Sequence, residues 1–470
     1  MNNQETICAV STAQGGAIGI VRVSGSDSIT ICGKLFRSPH GEKQLADSPF
    51  RHAIYGTLIS PDENDEIIDE VVVLKYKGPH SYTGEDSVEI MCHGSSYILE
   101  KVMSLLITEG CRLARPGEYT QRAFLNGKMD LSQAEAVADL ISSSTAATHR
   151  LAMSQMRGGF SRELRLLRDK LLKLTSLMEL ELDFSEEDLE FADRQELKNL
   201  SKEIESTLSH LISSFKVGNA LKNGVPVAII GETNVGKSTL LNQLLHEDRA
   251  IVSEIHGTTR DTIEDTINIE GTLFRFIDTA GIRDTKDTIE AIGIDRTFQK
   301  TDKAEIVLWV TDATELGQSF ERTYKRIIPH IGEKTLILVV NKCDLIDDTE
   351  LYTELSNLYD HTGINPDETL LISAKTGKNI GALESKLLDY TNNVMRNEGD
   401  VIVTNLRHVE ALKSALDALR SSTRAMDEGL STDLVAEDLR MCVSALGEIV
   451  GEVTTDEVLG NIFKHFCVGK

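Results

Sequence analysis

Short apolar runs separated by turn residues dominate the first part of the chain. The runs at 17–23 and 71–76 have the length and composition of β-strands, and turn-rich pieces such as 60–64 lie between them. Helix-like segments are mixed with these strands. Residues 1–120 are therefore predicted to form a separate α+β domain.

The periodicity changes from about Met129, where apolar residues begin to recur at helical spacing. Ser132-x-x-Glu135 has the spacing of a capping box, which is typical of a helix N-terminus. A stripe of leucines predicts a long packed helix over 161–182. Helical patterns return near the end of the chain, over 405–426, 432–450 and 454–466.

Between the two helical blocks, short apolar runs alternate with helical segments. Strands are predicted at 225–230, 266–269, 273–277, 306–310, 336–340 and 369–372. This alternation is typical of a doubly wound, mostly parallel sheet that binds ligands at the carboxyl ends of its strands. Neither helical block has enough partners for a core of its own. Residues 121–220 and 395–470 are therefore predicted to form one discontinuous all-α domain, with an α/β domain over 221–394 inserted in it.

Composition narrows the class of protein. The length of 470 residues is long enough for about three domains, no apolar run reaches membrane-spanning length, and the N-terminus lacks the features of a signal peptide. A cytoplasmic protein is expected. The net charge of −25 argues against a broad electrostatic footprint on nucleic acid or on an anionic membrane. The seven cysteines are scattered without a C-x-x-C pair, which favours reduced thiols over a disulfide framework or a zinc site.

One phosphate-binding motif is complete: Gly231-Glu232-Thr233-Asn234-Val235-Gly236-Lys237-Ser238 matches G-x-x-x-x-G-K-[ST]. It follows a predicted strand and runs into a predicted helix at Thr239, which is the context that the motif requires. Its glycines let main-chain N–H groups close around a polyphosphate. Lys237 reaches the outer phosphates, and the hydroxyl of Ser238 can ligate Mg²⁺.

Four further motifs follow in the order of a guanine-nucleotide site. They are Thr258-Thr259-Arg260-Asp261, Asp278-Thr279-Ala280-Gly281, Asn341-Lys342-Cys343-Asp344 and Ser373-Ala374-Lys375. A threonine of the first can close over Mg²⁺, Asp278 can reach the Mg²⁺ shell through water, and the Gly281 N–H can sense the γ-phosphate. Asp344 can accept two hydrogen bonds that guanine offers and adenine does not. Together the motifs favour GTP over ATP.

The residue after Gly281 is Ile282, where Ras-like GTPases have the glutamine that orients the attacking water. No arginine finger is evident, because the nearby arginines are more simply surface residues or partners within the switch loops. A monovalent cation held by Asn234 and by switch-loop oxygens is an alternative source of positive charge.

Across its whole length the chain resembles the MnmE (also called TrmE) family of tRNA-modifying GTPases. The resemblance rests on ARPGEYTQRAFLNGKMDL at 114–131, GPHSYTGED at 78–86 and FCVGK at 466–470, where Val468 replaces the family's usual isoleucine. It implies an N-terminal tetrahydrofolate-binding domain that also forms a homodimer, a discontinuous helical domain, and an inserted Ras-like P-loop GTPase domain.

The resemblance also implies a reaction. The chain is expected to act with the flavoprotein MnmG, which brings FAD, to install an aminomethyl-type group on C5 of the wobble uridine of certain tRNAs. A formyl or methylene tetrahydrofolate supplies the one-carbon unit. The implied folate contacts are Arg22, Glu89, Lys128 and Lys470. Cys467 lies beside Lys470, and it is either a thiol near the modification chemistry or an ordinary buried cysteine next to Phe466.

In the family, K⁺-dependent pairing of two GTPase domains activates hydrolysis, and the ion supplies the charge of an arginine finger. The implied K⁺ ligands are Asn234, Ser253, the main chain of Ile255, and Thr258. Mg²⁺ is implied on Ser238 and Thr259, and Glu290 is implied to position the attacking water. With Lys237, Gly281 and Cys467, Glu290 completes the expected catalytic set.

A second function stays open from the residues alone. A GTP-gated assembly factor that binds RNA without covalent chemistry has the same nucleotide motifs, but it has no use for a folate domain. A membrane-remodelling GTPase is disfavoured because the sequence contains no basic amphipathic helix.

Overall fold

The computed structural model describes most of the chain. The described residues are 5–13, 15–39, 45–61, 65–183, 194–247, 265–277, 304–316, 318–332, 334–362, 369–394, 401–428, 430–452, 454–464 and 466–469. They divide into two compact units, of which the first comprises residues 1–142, 152–205 and 411–470, and the second comprises 143–151 and 206–410.

The elements of both units are numbered in chain order. The strands are β1 Ile7–Val10, β2 Ile18–Ser24, β3 Phe36–Arg37, β4 Ile54–Ser60, β5 Glu66–Tyr76, β6 Ser87–His93, β7 Arg112–Leu113, β8 Val225–Ile230, β9 Asp265–Ile269, β10 Thr272–Phe276, β11 Ile306–Asp312, β12 Thr335–Asn341 and β13 Thr369–Leu371. The helices are α1 Ser28–Leu35, α2 Ser96–Thr108, α3 Glu118–Leu125, α4 Leu131–Ser142, α5 Ala146–Met156, α6 Gly159–Asp183, α7 Arg194–Asn223, α8 Lys237–Glu247, α9 Gln318–Ile331, α10 Asp348–Thr362, α11 Ile380–Val394, α12 Leu406–Asp427, α13 Thr432–Val450 and α14 Asp456–Phe463.

Seven strands of the described chain form a sheet in the first part of unit 1, in the order β3-β4-β5-β6-β2-β1-β7. Its neighbouring strands are antiparallel except β1 and β7. Val21 and Val23 of β2 face a core shared with α1 and α2. Because side chains alternate along a strand, the intervening Arg22 faces the other side, as does its cross-strand partner Glu89 on β6.

Helices from both ends of the chain pack together in the rest of unit 1. Helix α6 packs along α13, and ion pairs join the two helical blocks at Arg168–Glu452, Lys198–Asp427 and Glu205–Arg420. The leucine stripe of α6 is buried, as the helical periodicity predicts. The domain bounds at 120, 220 and 394 stay a prediction, since the two compact units divide the chain within α7 and α12 instead.

The N-terminus of α4 corrects one detail of the sequence interpretation. Asp130 Oδ1 accepts a hydrogen bond from the Gln133 N–H at 3.0 Å, and Gln133 Oε1 accepts one from the Asp130 N–H at 2.9 Å. This reciprocal pair is the capping box, so the prediction at Ser132 and Glu135 is wrong by two residues. The hydroxyl of Ser132 donates to Asp130 Oδ1 instead.

In the described residues of unit 2, six strands form a central sheet in the order β13-β12-β11-β8-β10-β9. All of its neighbouring strands are parallel except β9 and β10. Helices cover both faces, and each face has its own apolar core. The doubly wound prediction is confirmed, and so is the multidomain fold class that combines an α+β part, an all-α part and an α/β part. Among the described helices, none has both the length and the apolarity needed to cross a bilayer.

Candidate nucleotide site and N-terminal cleft

The phosphate-binding motif forms a tight loop between β8 and α8. Its backbone has positive φ at Gly231 (146°), Asn234 (63°) and Gly236 (97°), a conformation that suits glycine best. A Cβ at Gly231 would collide with the Val310 carbonyl, and a Cβ at Gly236 would collide with the Asn341 amide. Helix α8 begins at Lys237, so the N–H groups and the positive end of the helix dipole lie at the loop.

Lys237 already lies over this loop. Its ammonium donates hydrogen bonds to the carbonyl of Gly231 at 2.9 Å and to the carbonyl of Glu232. The charge is therefore positioned before any phosphate binds, which reduces the ordering that binding requires. Ser238 is the second residue of α8, where its half-buried hydroxyl offers the hard oxygen that Mg²⁺ prefers.

Asn341 joins three of the predicted nucleotide motifs. Its buried side chain donates from Nδ2 to the Val235 carbonyl at 2.8 Å and accepts at Oδ1 from the Ala374 N–H at 2.9 Å. These hydrogen bonds therefore fix the phosphate loop, the end of β12 and the loop after β13 in position relative to one another. This is direct geometric support for grouping the motifs into one site.

Asp344 lies in the loop after β12 with its carboxylate exposed. A hydrogen bond from the Ser373 hydroxyl, together with the charges of Lys375 and Lys378, lowers the pKa of this carboxyl. The group is thus ionised at neutral pH and able to accept hydrogen bonds from a base. Ser373 and Ala374 are buried beneath it.

Sequence reasoning missed one residue of this site, Asp312. It ends β11, lies opposite Asn341 in the parallel register, and forms an ion pair with Lys342 at 2.6 Å. The available signal was an acidic residue at the carboxyl end of the strand beside the one that carries the Asn-Lys-x-Asp motif.

Ten predicted site residues lie outside the described residues. They are Ser253, Ile255, Thr258, Thr259, Asp278, Thr279, Ala280, Gly281, Glu290 and Lys470.

A second candidate site is a cleft of about 220 Å³ on the first sheet, on the face opposite α1 and α2. Arg22 and Glu89 line it and form an ion pair at 2.8 Å. The Arg22 guanidinium also lies 5.4 Å from the ring centre of Tyr82 and 5.7 Å from that of Tyr119. Two of the four implied folate contacts are therefore in direct contact, between aromatic rings.

The wall of this cleft is the segment 78–86, and α3 and the residues after it support that wall. Lys128, the third implied contact, donates to the Pro79 carbonyl at 2.8 Å. Tyr82 shares a hydrogen bond of 2.8 Å with Thr120, and the buried guanidinium of Arg122 contacts Glu85 at 3.1 Å.

Glu118 connects the charges behind the wall. It accepts hydrogen bonds from Arg112, from Arg122 and from the Arg115 N–H. Burial alone would raise the pKa of Glu118, but these donors outweigh it and hold the pKa at about 2. The carboxylate is therefore a permanent anion at working pH.

The C-terminal tail reaches the same part of unit 1. The Gly117 N–H at the start of α3 donates to the Cys467 carbonyl at 3.3 Å, and the Ser11 hydroxyl donates to the Gly469 carbonyl at 3.2 Å. The thiol of Cys467 is exposed, whereas the other six cysteines are buried. The interpretation of Cys467 as a buried structural cysteine is therefore wrong.

The sheet order of unit 2, its phosphate loop and its Asn341 hydrogen bonds define a P-loop GTPase domain of the Ras-like class. Comparison with protein families extends this beyond one domain. A model described as the MnmE helical domain matches residues 131–467, and one described as the GTP-binding protein TrmE N-terminus matches residues 6–128. The chain belongs to the MnmE (TrmE) family.

Similarity to individual relatives covers the full length of the chain. The tRNA modification GTPase MnmE of Bacteroides thetaiotaomicron is 58% identical over 468 residues, and that of Christiangramia forsetii is 48% identical over 480, each covering 100% of both chains. A solved structure of an Aquifex aeolicus Era variant with GDP and AlF₄⁻ is 30% identical, covering 41% of this chain and 66% of that one. The TM-score of that comparison is 0.29.

Proposed function

We propose that this chain, a GTP hydrolase of tRNA modification, acts in the cytoplasm with the flavoprotein MnmG on C5 of the wobble uridine of certain tRNAs. A tetrahydrofolate derivative supplies the one-carbon unit. The observation that carries the GTPase part is the pair of Asn341 hydrogen bonds, which join the phosphate loop to the base-reading loops. Full-length similarity to proteins named tRNA modification GTPase supports the tRNA modification part.

Nucleotide binding is assigned to residues that the structure describes. Main-chain N–H groups of 234–239 surround the phosphates, and Lys237 neutralises charge on the outer ones. Asp344 accepts hydrogen bonds from the guanine N1–H and amine, and 373–375 cover the base. A base without these donors leaves the carboxylate unpaired, which is the source of specificity.

Two ions complete this proposed site. Ser238 and Thr259 would hold Mg²⁺, and Asn234, Ser253, Ile255 and Thr258 would hold K⁺. Bound there, the ions supply positive charge to the phosphates. The exposed amide of Asn234, fixed at a φ of 63°, fits a ligand of a large monovalent cation. Glu290 is assigned to orienting the attacking water and Gly281 to sensing the γ-phosphate.

The cleft on the first sheet is the proposed tetrahydrofolate site. Its aromatic walls suit a flat heterocycle, and the Arg22–Glu89 pair offers adjacent donors and acceptors for the edge of a pterin. Lys128 and Lys470 supply charge for the glutamate tail. Cys467 is assigned to the modification step, and its exposure is compatible with that role.

The same open sheet face supports a homodimer through the N-terminal domain. Tyr55, Val72, Met91 and Ile20 are successive cross-strand partners on the face that α1 and α2 leave uncovered. Tyr55 and Ile18 on this face are more than half exposed. A row of uncovered apolar side chains is typical of a surface that a second chain buries.

Steady-state GTP hydrolysis in KCl and in NaCl at equal ionic strength tests the ion proposal. We expect activation only in KCl, together with dimerisation of the GTPase domain in the presence of a transition-state analogue. Equal rates in the two salts would remove K⁺ from the mechanism and leave the GTPase assignment intact.

Calorimetric titration with 5-formyltetrahydrofolate tests the cleft. Arg22→Met should weaken binding by about tenfold or more, because it removes the guanidinium that pairs with Glu89 and lies close to the rings of Tyr82 and Tyr119. Arg37→Met is the matched control, since Arg37 is an exposed arginine of the same sheet that does not line the cleft. Lack of binding by the unaltered chain, with normal tRNA nucleosides in a deletion strain, would favour the RNA-binding assembly factor.

A further inference from the structure

Asp312 is a buried carboxylate that the nucleotide motifs do not include. It ends β11 directly beside Asn341, the last residue of β12, so Lys342, which follows that strand, lies within its reach. The Asp312 side chain is 7% exposed, and its Oδ2 lies 2.6 Å from the Lys342 ammonium. A buried carboxylate is normally paired with a cation or hydrogen-bonded, because an unpaired buried charge is costly.

Both oxygens of this carboxylate are engaged. Oδ1 accepts hydrogen bonds from the N–H of Thr314 at 3.0 Å and from its hydroxyl at 2.9 Å, while Oδ2 accepts from Lys342. Burial alone would raise the pKa of Asp312, but the bonds from Lys342 and Thr314 outweigh it and lower the pKa. The hydrogen bonds thus fix the orientation of the Asp312 carboxylate and also keep it ionised.

Lys342 is held at both of its ends. Its backbone has a φ of 63°, and a residue other than glycine adopts this left-handed conformation only when its surroundings impose it. The preceding Asn341 is bonded to Val235 and Ala374, and the following Cys343 N–H donates to the Ile372 carbonyl at 3.1 Å. With its ammonium on Asp312, the Lys342 side chain is fixed at its tip as well as at its backbone, and it is one third exposed.

We propose that Asp312 is a positioning residue for the nucleotide base: by anchoring the Lys342 ammonium, it holds the alkyl stem as a flat apolar support for the purine ring beside Asp344. The inference rests on the guanine-nucleotide site proposed above. A free lysine stem loses rotamer freedom when a base packs on it, and the anchor removes that cost in advance. Asp312 therefore acts through Lys342 and touches no nucleotide atom.

Release of a fluorescent GDP analogue, measured by stopped flow on the full chain, provides the first test. Asp312→Asn keeps the acceptor for Thr314 but removes the charge, and we expect release to be about tenfold faster. In steady-state hydrolysis the loss should appear in KM more than in kcat. Asp347→Asn is the matched control, because Asp347 also accepts a backbone N–H near this loop, from Thr349 at 2.9 Å, and forms no ion pair with a lysine of the described ranges.

A double-mutant cycle with Lys342→Met separates positioning from a general effect on the fold. If Asp312 acts through Lys342, Asp312→Asn has no further effect once Lys342 is methionine. If the two substitutions instead speed release by independent factors that multiply in the double variant, the proposal is wrong. Lys342→Met also breaks the pair from its exposed end, so the test stands even where Asp312→Asn fails to fold.

Ligands without the base, or with an altered one, give the last discrimination. Asp312→Asn should weaken the binding of GDP and of IDP by the same factor, because an apolar support does not contact the exocyclic groups of the base. It should leave the affinity for Mg²⁺-tripolyphosphate unchanged. An equal loss for tripolyphosphate would assign Asp312 to the loop fold and reject the base role. Failure of the unaltered chain to bind GDP would instead reject the nucleotide site itself.

Discussion

The two candidate sites are built from different parts of the chain. In the nucleotide site, main-chain groups of the loop at 231–236 provide the cradle, and a single side chain, Asn341, fixes its neighbours. In the N-terminal cleft, side chains from distant segments meet, as when Arg22 of β2 pairs with Glu89 of β6. The first arrangement depends on backbone conformation, and the second depends on buried charge.

This difference determines how each site fails. A backbone cradle tolerates no added volume, because its atoms already lie against neighbouring strands. A network of charges tolerates changes in shape better than changes in ionisation, because an unpaired buried charge is costly. Three substitutions can break or sharpen this contrast.

Gly236→Ala should have the largest effect. The new Cβ would collide with Asn341 Nδ2 at a residue whose φ is 97°. We expect nucleotide affinity to fall on the order of a thousandfold, which is about 4 kcal/mol. Equilibrium titration with GDP measures it.

Gly381→Ala is the control for this substitution. Gly381 lies in α11 of the same unit, and apart from its chain neighbours and the backbone of its own helix no described atom comes within 4 Å of the position that an added methyl group would take. Alanine there should leave nucleotide binding unchanged and slightly favour the helix. If the two variants bind GDP equally well, the packed-backbone account of the site is wrong.

The same contrast explains what the sequence could predict. The phosphate loop is contiguous, and each of its residues has a fixed role, so the pattern alone located it. The six strands described in unit 2 were also predicted to within two residues at each end. The buried parallel strands β8 and β11 are continuous apolar runs, and β9 and β10 are short alternating strands joined at Gly271. Asp312 was missed because its role depends on a register between two strands that are separate in sequence.

The cleft was predictable only through family resemblance. Nothing local distinguishes Arg22 or Glu89 from a surface charge, since the alternation of β2 and β6 merely places both on one face. Their pairing depends on which strands are neighbours, and β2 lies beside β6 although α1 and the strands β3, β4 and β5 come between them along the chain. Periodicity predicts a face and not a partner.

Glu118→Gln should have the next largest effect, confined to the charge network behind the cleft. The pKa of Glu118 is lowered from 4.5 to about 2, which corresponds to about 3 kcal/mol of stability. Because the folded-state pKa is the lower one, this contribution is complete above about pH 4.5 and is lost as the pH falls through 2. The variant should therefore be less stable at pH 7 and equal to the unaltered chain at the acid limit.

Hydrogen exchange of peptides from α3 measures this locally. Fluorescence of Trp309, the single tryptophan, reports on unit 2 and should not change. Glu100→Gln, at an exposed position of α2, is the matched control and should exchange like the unaltered chain. A stability difference that persists at pH 2 would mean that packing, and not charge, supports the cleft wall.

Asp130→Ala should have the smallest effect, and it tests a feature that is local in sequence but belongs to unit 1. The substitution removes the oxygen that accepts the Gln133 N–H, and loss of such a cap costs about 1 kcal/mol. Asp130→Asn keeps an acceptor at the same place and should cost only a few tenths of that, as measured by exchange at the start of α4. Equal losses for the two variants would indicate that the charge of Asp130 matters more than its cap, through Arg165 at 3.8 Å. In that case even this local motif would depend on a distant partner, as the cleft does.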